Sequence, residues 1–295
     1  MTLPARLGRH ERKVAGTLAL CFAFELADIN SFAYVAPAVH HALHLGLREI
    51  SVVTAAGFLG MFAGATAGGR VAERAGRKRA LRDSVLWFSL LPGHRGRVRT
   101  ISLLATRFLT GCGLGATTVV AVTYLTELVP EHRRGRVQAG TLAAGLLGIP
   151  AMAFFARAVI GPGPQSWRLV FVFGALGVVP LVITRWLPES PAWRRTPAAG
   201  TPLRLFRGRF ARRTTMLATA WIFLTIGDYG FASFAPTLVH EHGFTLTHSV
   251  GYAALTTLGA VPGALLAGPS PTASACAAPA RCSACSSPAR VSRMD

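Results

Sequence analysis

Charge is scarce in this sequence, and negative charge scarcest of all. Only 12 of the 295 residues are Asp or Glu, and 15% carry any charge, where a soluble domain averages about a quarter. That shortage argues against a soluble globular protein. No glycine-rich loop ending in Lys-Ser or Lys-Thr is found, so ATP-driven pumping has no support. No Ser/His/Asp or Cys/His constellation stands out, and neither an enzyme activity nor a cofactor is expected. Cysteine is sparse too. Cys21 and Cys112 fall inside apolar blocks and read as small apolar residues. Cys282 and Cys285 form a lone Cys-x-x-Cys with no second pair or histidine after it, so no metal site is expected there. The histidines at 40, 41, 44, 240, 242 and 248 fall in expected outer loops and read as solvated. A cleavable signal peptide is not evident. The first apolar block is long enough to span a bilayer and carries Glu25 and Asp28, unlike a signal core.

Apolar residues are abundant at 51% of the chain, and mean hydropathy is +0.43. Their arrangement sets the class. They form blocks at 14–35, 50–69, 101–129, 137–160, 167–187, 214–239 and 250–268. Each reaches the roughly 20 helical residues that a ~30 Å hydrocarbon core needs. An eighth block, 84–92, is short. An all-α integral membrane protein is therefore expected. Residues 1–187 make a first transmembrane half, 188–213 a basic loop, 214–268 the first two spans of a second half, and 269–295 a disordered tail.

The net charge is +19, which could suggest a nucleic-acid partner. The placement of the bases argues for topology instead. With the N-terminus in the cytoplasm, most of the 31 Lys and Arg fall on the inner side, in the N-terminal segment, the 70–82 loop, the 133–136 loop and the 185–213 loop. This is the positive-inside bias, and no nucleic acid is expected. Two places break the pattern. Arg95, Arg97 and Arg99 crowd what should be a short outer loop after the short block, and the tail turns abruptly to Pro, Ser, Ala, Cys and Arg. Both read as altered reading frame in a GC-rich gene, the alternative being a natural short helix and a natural tail.

Four motifs carry a resemblance. Gly69-Arg70-Val71-Ala72-Glu73-Arg74-Ala75-Gly76-Arg77-Lys78 ends the second span. Arg107-Phe108-Leu109-Thr110-Gly111-Cys112-Gly113-Leu114-Gly115 opens the fourth, which closes with Glu127-Leu128-Val129-Pro130 and then Arg134-Gly135-Arg136. Pro188-Glu189-Ser190-Pro191-Ala192-Trp193 follows the sixth, and Asp228-Tyr229-Gly230-Phe231 lies in the seventh. Together they resemble the sugar-porter and metabolite:proton symporter branch of the major facilitator superfamily. Glu73 stands for the usual Asp, and Ala192 for the usual Arg. The paired glutamines of sugar porters are absent from the seventh span, which argues against a hexose. The resemblance implies a helical bundle of two six-helix halves, alternating access, and a proton as co-substrate. Of that bundle this chain carries the first half and about two helices of the second. The expected function is secondary active transport of a small metabolite across the cell membrane, by a monomer in the lipid bilayer. The alternative is a truncated remnant that no longer transports.

Ionisable groups inside spans cost about 2.5–3.5 kcal/mol each on insertion scales and are functional candidates by default. At ~1.5 Å per residue, Asp28, Arg107 and Asp228 all fall ~21 Å above the inner edge. In the resembled family an acid on span one and an arginine on span four handle the proton, which points to Asp28 and Arg107, with Glu25 one turn below. Asp228 and Tyr229 are expected at the substrate cavity. Gly69, Glu73, Arg74, Gly76, Arg77, Lys78, Glu127, Arg134 and Glu189 make the expected cytoplasmic gate, through a pair between Glu127 and Arg74 or Arg77 that Glu189 could join.

Overall fold

The computed structural model describes residues 9–90, 100–160, 166–191, 193, 208, 211–243, 255, 258–259 and 262–263. Among them every regular element is helical: α1 (Arg9–Leu43), α2 (Leu47–Ala75), α3 (Arg77–Leu90), α4 (Thr100–Leu128), a 3-10 turn (Glu131–Arg133), α5 (Arg134–Leu146), α6 (Gly148–Val159), α7 (Arg168–Ala175), α8 (Val178–Thr184) and α9 (Ala211–Glu241). Among the described residues, four stretches are long and apolar enough to cross a bilayer: Glu11–His40, Leu47–Ala75, Ile101–Leu128 and Arg134–Val159. The crowded arginines at 95–99, the 269–295 tail and most of block 250–268 lie outside the described residues.

Three expected blocks take a different form. The short block is the far end of a 14-residue helix that begins at Arg77. Counting contiguous apolar residues misses the first half of that helix because it is amphipathic. Leu81, Val85 and Phe88 are fully buried, while Arg79, Arg82 and Asp83 face outward. Blocks 137–160 and 167–187 each break once, near Leu147 and near Gly177. Proline accounts for both interruptions. Pro150 and Pro180 have no N–H to return to the carbonyls of Leu146 and Leu176, so the helix loosens three or four residues earlier.

Lipid is as apolar as leucine, so helices in a bilayer associate through close packing rather than water exclusion. The α2–α4 seam shows how. Gly57, Gly60, Gly64 and Gly68 of α2 lie against Phe108, Gly111, Cys112, Gly115 and Ala116 of α4, backbone on backbone. A Cβ at Gly64 would fall inside the van der Waals radius of the Cys112 carbonyl, and one at Gly115 inside that of Met61. The alternating glycines of α4 serve two neighbours. Gly111 and Gly115 face α2, whereas Gly113 faces Phe88 of α3, where a Cβ would stand 2.9 Å from the Phe88 backbone nitrogen.

The buried apolar side chains form two clusters. One gathers Leu18, Phe22, Leu81, Phe88, Leu114 and Tyr124 toward the basic end of the bundle. The other gathers Phe32, Val35, Val39, Ile50, Val53 and Met152 toward the opposite end. Along α1 the first cluster stops at Phe22 and the second begins at Ala27. Glu25 and Asp28 occupy this junction, with relative exposures of 2% and 3%.

Candidate functional site

Arg107 of α4 sits at the centre of this junction. Its guanidinium lies between two aromatic faces, 4.7 Å from the Phe32 ring of α1 and 4.9 Å from the Phe171 ring of α7. Aromatic faces carry negative quadrupole density and hold a cation best where water is excluded. The Phe171 wall belongs to a larger aromatic group, since Phe173 of the same helix packs on Phe24 at 5.4 Å and on Phe155 at 5.1 Å. One guanidinium N–H donates to the Ser31 hydroxyl at 3.3 Å, and Ser31 donates to the Asp28 backbone carbonyl at 2.6 Å.

Asp28 is near enough for its charge to interact with that of Arg107, but the two form no direct salt bridge. Asp28 Oδ2 has no hydrogen-bond partner. One turn lower, Glu25 accepts a hydrogen bond at Oε1 from the Thr118 hydroxyl of α4, and its Oε2 has no partner. Two acids and one base thus share a layer with the aromatic rings.

Arg107 also opens onto a cavity of about 40 Å³ between α1, α2, α4 and α9. Its polar lining includes Asn30, Thr54, Thr110 and the phenol of Tyr229. Tyr229 closes the α9 side and meets Phe58 edge-on at 5.0 Å. Of the two residues expected at a substrate cavity, Tyr229 lines this one. Asp228 precedes it in α9, and its side chain lies outside the described residues.

A second assembly occupies the basic end. Arg77 opens α3 and pairs with Glu127 at the end of α4, with its Nε 3.1 and 3.3 Å from the two carboxylate oxygens and a terminal nitrogen at 3.0 Å. Both side chains are mostly buried, at 14% and 17% exposure, so this pair lies outside the class of weak surface bridges. Of the two expected partners for Glu127, Arg77 makes the pair, and Arg74 stays exposed. Arg134 is not part of this cluster. It donates to the Val129 carbonyl at 3.1 Å and pairs with Glu131 at 3.3 Å.

Glu189 joins through the backbone. Its carboxylate accepts from the N–H of Lys78 at 3.1 Å and of Ser190 at 3.0 Å. The Lys78 N–H is one of the unpaired donors at the start of α3, where a carboxylate also meets the positive end of the helix dipole. Gly76 makes this possible. Its φ is +101°, and a Cβ would stand 2.7 Å from Glu189 Oε2. Gly69 has no such demand, and Gly68 supplies the close approach instead. Lys78 Nζ caps the end of α8 through the Arg185 carbonyl at 2.7 Å, and the Tyr124 hydroxyl reaches the Pro188 carbonyl. The Trp193 indole donates to the Glu73 carbonyl at 2.6 Å, in the last turn of α2. Glu73 thus enters through its backbone.

Ser31, Phe32, Phe171, Thr118 and Trp193 are the contributors that motif reading overlooked. Trp193 stood in a quoted motif, while nothing in the local sequence marks the other four. Trp193→Phe keeps an aromatic ring but removes the five-membered ring with its N–H, so it should cost about 1 kcal/mol for the bond and somewhat more for the lost packing. Thermal unfolding in detergent should show a Tm lowered by a few degrees, and an unchanged Tm would mean that the bond contributes nothing.

The profile of the Major Facilitator Superfamily matches residues 18–270. The chain belongs to this superfamily. It is a multi-pass membrane protein, and its known relatives are transporters rather than enzymes. YyaJ of Bacillus subtilis, named as a candidate metabolite transport protein, is 35% identical, with 88% of this chain and 66% of YyaJ covered. The 3-(3-hydroxy-phenyl)propionate transporter of Escherichia coli is 32% identical over 85% of this chain and 64% of its own length. Among solved structures of the superfamily, the proton:xylose symporter XylE aligns with a TM-score of 0.69 at 14% identity, covering 87% of this chain and 68% of XylE. That likeness supports the all-helical fold. The chain spans about two thirds of the length of the relatives it matches.

Proposed function

We propose that this chain serves secondary active transport of a small organic anion, coupled to protons and working by alternating access. The observation that carries the reading is Arg107: a buried cation that opens onto a cavity, with the Asp28 carboxyl one serine away. The cation suits a carboxylate. The aromatic walls, Phe32 and Phe58, suit a planar ring, and Asn30, Thr54 and Thr110 offer donors and acceptors for its substituents. Relatives named as niacin and 4-hydroxybenzoate transporters, at 27% and 26% identity, support an aromatic monocarboxylate as the substrate class.

In this reading Asp28 takes up the proton. A nearby cation favours the charged acid, and burial away from water favours the neutral one. A change in the distance to Arg107 during the access cycle therefore changes proton affinity. The basic end faces the cytoplasm of a cell membrane, and the Arg77–Glu127 pair with the Glu189 cap closes it. The protein acts as a monomer in the bilayer, with residues 1–187 as one half and 214–268 as the start of the other.

The test is uptake of labelled nicotinate and 4-hydroxybenzoate into proteoliposomes holding the full chain, with xylose as the control. An inward proton gradient should raise uptake of the acids several-fold and leave xylose unchanged. Uptake no greater than in empty liposomes for both acids would overturn the reading. Asp28→Asn should remove the response to the gradient while exchange at equal pH persists. A gradient response that survives in this variant excludes coupling through Asp28.

A further inference from the structure

The Arg107–Asp28 pair stands open although both sides have unused bonding capacity. The guanidinium is a planar fork of five N–H donors, and a fork-to-carboxylate pair is among the strongest polar arrangements. Asp28 Oδ2 is buried and has no partner. In a site that excludes water, opposite charges attract strongly, so something must hold them apart.

Three contacts do so. The Phe32 and Phe171 rings hold the guanidinium over their faces, at 4.7 and 4.9 Å. The third is Ser31, which is 1% exposed. It lies one turn above Asp28 on α1 and takes an Arg107 N–H on its oxygen at 3.3 Å. Its own proton points to the Asp28 backbone carbonyl at 2.6 Å, so the lone pairs are left for the cation. The hydroxyl thus occupies the place on Arg107 that the Asp28 carboxylate would otherwise take.

We propose that Ser31 is a spacer that keeps Arg107 off Asp28, leaving the guanidinium to the anion in the cavity and Asp28 Oδ2 free for a proton. The proposal rests in part on the proton-coupled reading above. Among the described residues, the titratable groups around this centre are Asp28 and Glu25 from α1, Arg107 itself, and Tyr229 from α9. The residues that α2 and α7 present to it, Thr54, Gly57 and Phe58 and then Phe171, carry no titratable group. The Arg107 charge acts on Asp28 and not on Glu25, so Asp28 is the acid that Arg107 would capture if the spacer were lost.

Ser31→Ala removes one oxygen and leaves the backbone alone. The freed N–H then has Asp28 Oδ2 as its acceptor, because an unmade bond to a buried charged donor is costly. The deciding measurement needs no substrate. The full chain in lipid nanodiscs is treated with phenylglyoxal, which labels arginine, and modification at Arg107 is followed by peptide mass spectrometry. Capture by Asp28 should slow modification about ten-fold in Ser31→Ala. Ser31→Thr, which keeps the hydroxyl, should react like the wild type. Ser31→Ala combined with Asp28→Asn should also return to the wild-type rate, because the capturing group is gone; the coupling of two neighbouring sites is read from such a cycle. A Ser31→Ala rate within two-fold of wild type overturns the spacer. So does a slowing that persists with Asp28→Asn, since that would reflect a general loss of structure. In proteoliposomes, the pH of half-maximal nicotinate uptake should fall by about one unit in Ser31→Ala, a ten-fold change in proton affinity. If the wild-type chain shows no uptake, the transport reading fails, while the labelling still decides the spacer.

Discussion

Arg107→Gln should weaken nicotinate binding by about 30-fold or more and abolish concentrative uptake. Truncating one side of a buried, hydrogen-bonded charge pair costs about 2–5 kcal/mol, which is roughly 30- to 5000-fold. Glutamine keeps a donor but loses the positive charge. It also loses the flat, delocalised surface that sits between Phe32 and Phe171. Arg107→Lys should fail nearly as badly, because an ammonium is a compact, strongly hydrated charge that cannot fill the slot between two rings. Scintillation-proximity binding on the purified chain measures both variants without relying on transport. Binding of Arg107→Gln within three-fold of wild type would show that the anion sits elsewhere.

The second large effect is on stability. Gly64→Leu should destabilise the bundle by about 3 kcal/mol or more, at or beyond the upper end for overpacked cores. In most cores a neighbouring side chain can turn aside. Here the obstruction is the Cys112 backbone, and moving it would break the seam from Phe108 to Ala116. Native proteins hold only about 5–15 kcal/mol in reserve, so the variant should lose much of its folded yield. Gly69→Ala, five residues along the same helix, is the control. Its Cβ would meet only Val119 Cγ1 at 3.9 Å, an ordinary contact. Monodisperse yield and Tm in mild detergent compare the two. Equal values would mean that the α2–α4 seam can open at little cost.

What the sequence made legible was whatever lies in one segment. The length of an apolar block is local, so α1, α2, α4 and α9 were each recognisable. The Gly76 turn and a basic partner for Glu127 were legible because the motif places a turn and charges at fixed offsets, but the motif did not choose between Arg74 and Arg77. The amphipathic start of α3 was missed because Arg77 to Asp83 lowers any contiguous apolar count. The breaks at Leu147 and Gly177 were written in Pro150 and Pro180, but block length outweighs a single proline in such a reading. The arrangement around Arg107 was not legible. Its acid was named from the motif, but its nearest polar partner, Ser31, is separated from it by 76 residues. No periodicity links a serine on α1 to an arginine on α4 and a ring on α7.

The junction between the two apolar clusters also bears on how the chain is made. A ribosome delivers α1 to the membrane before α4, with Glu25 and Asp28 at mid-length and without the groups that α4 brings to them. The Thr118 hydroxyl that serves Glu25 arrives 93 residues later, and Arg107 follows Ser31 by 76. Until α4 is synthesised, α1 is a poor candidate for free diffusion in lipid, given what each acid costs at the centre of a spanning helix. The expected outcome is that it stays beside the translocon or with a membrane chaperone. Nascent chains stopped before and after α4 should therefore differ in whether α1 crosslinks to that machinery. Loss of that crosslink once α4 is made would mean that α1 to α4 leave together and that the acids of α1 set the timing.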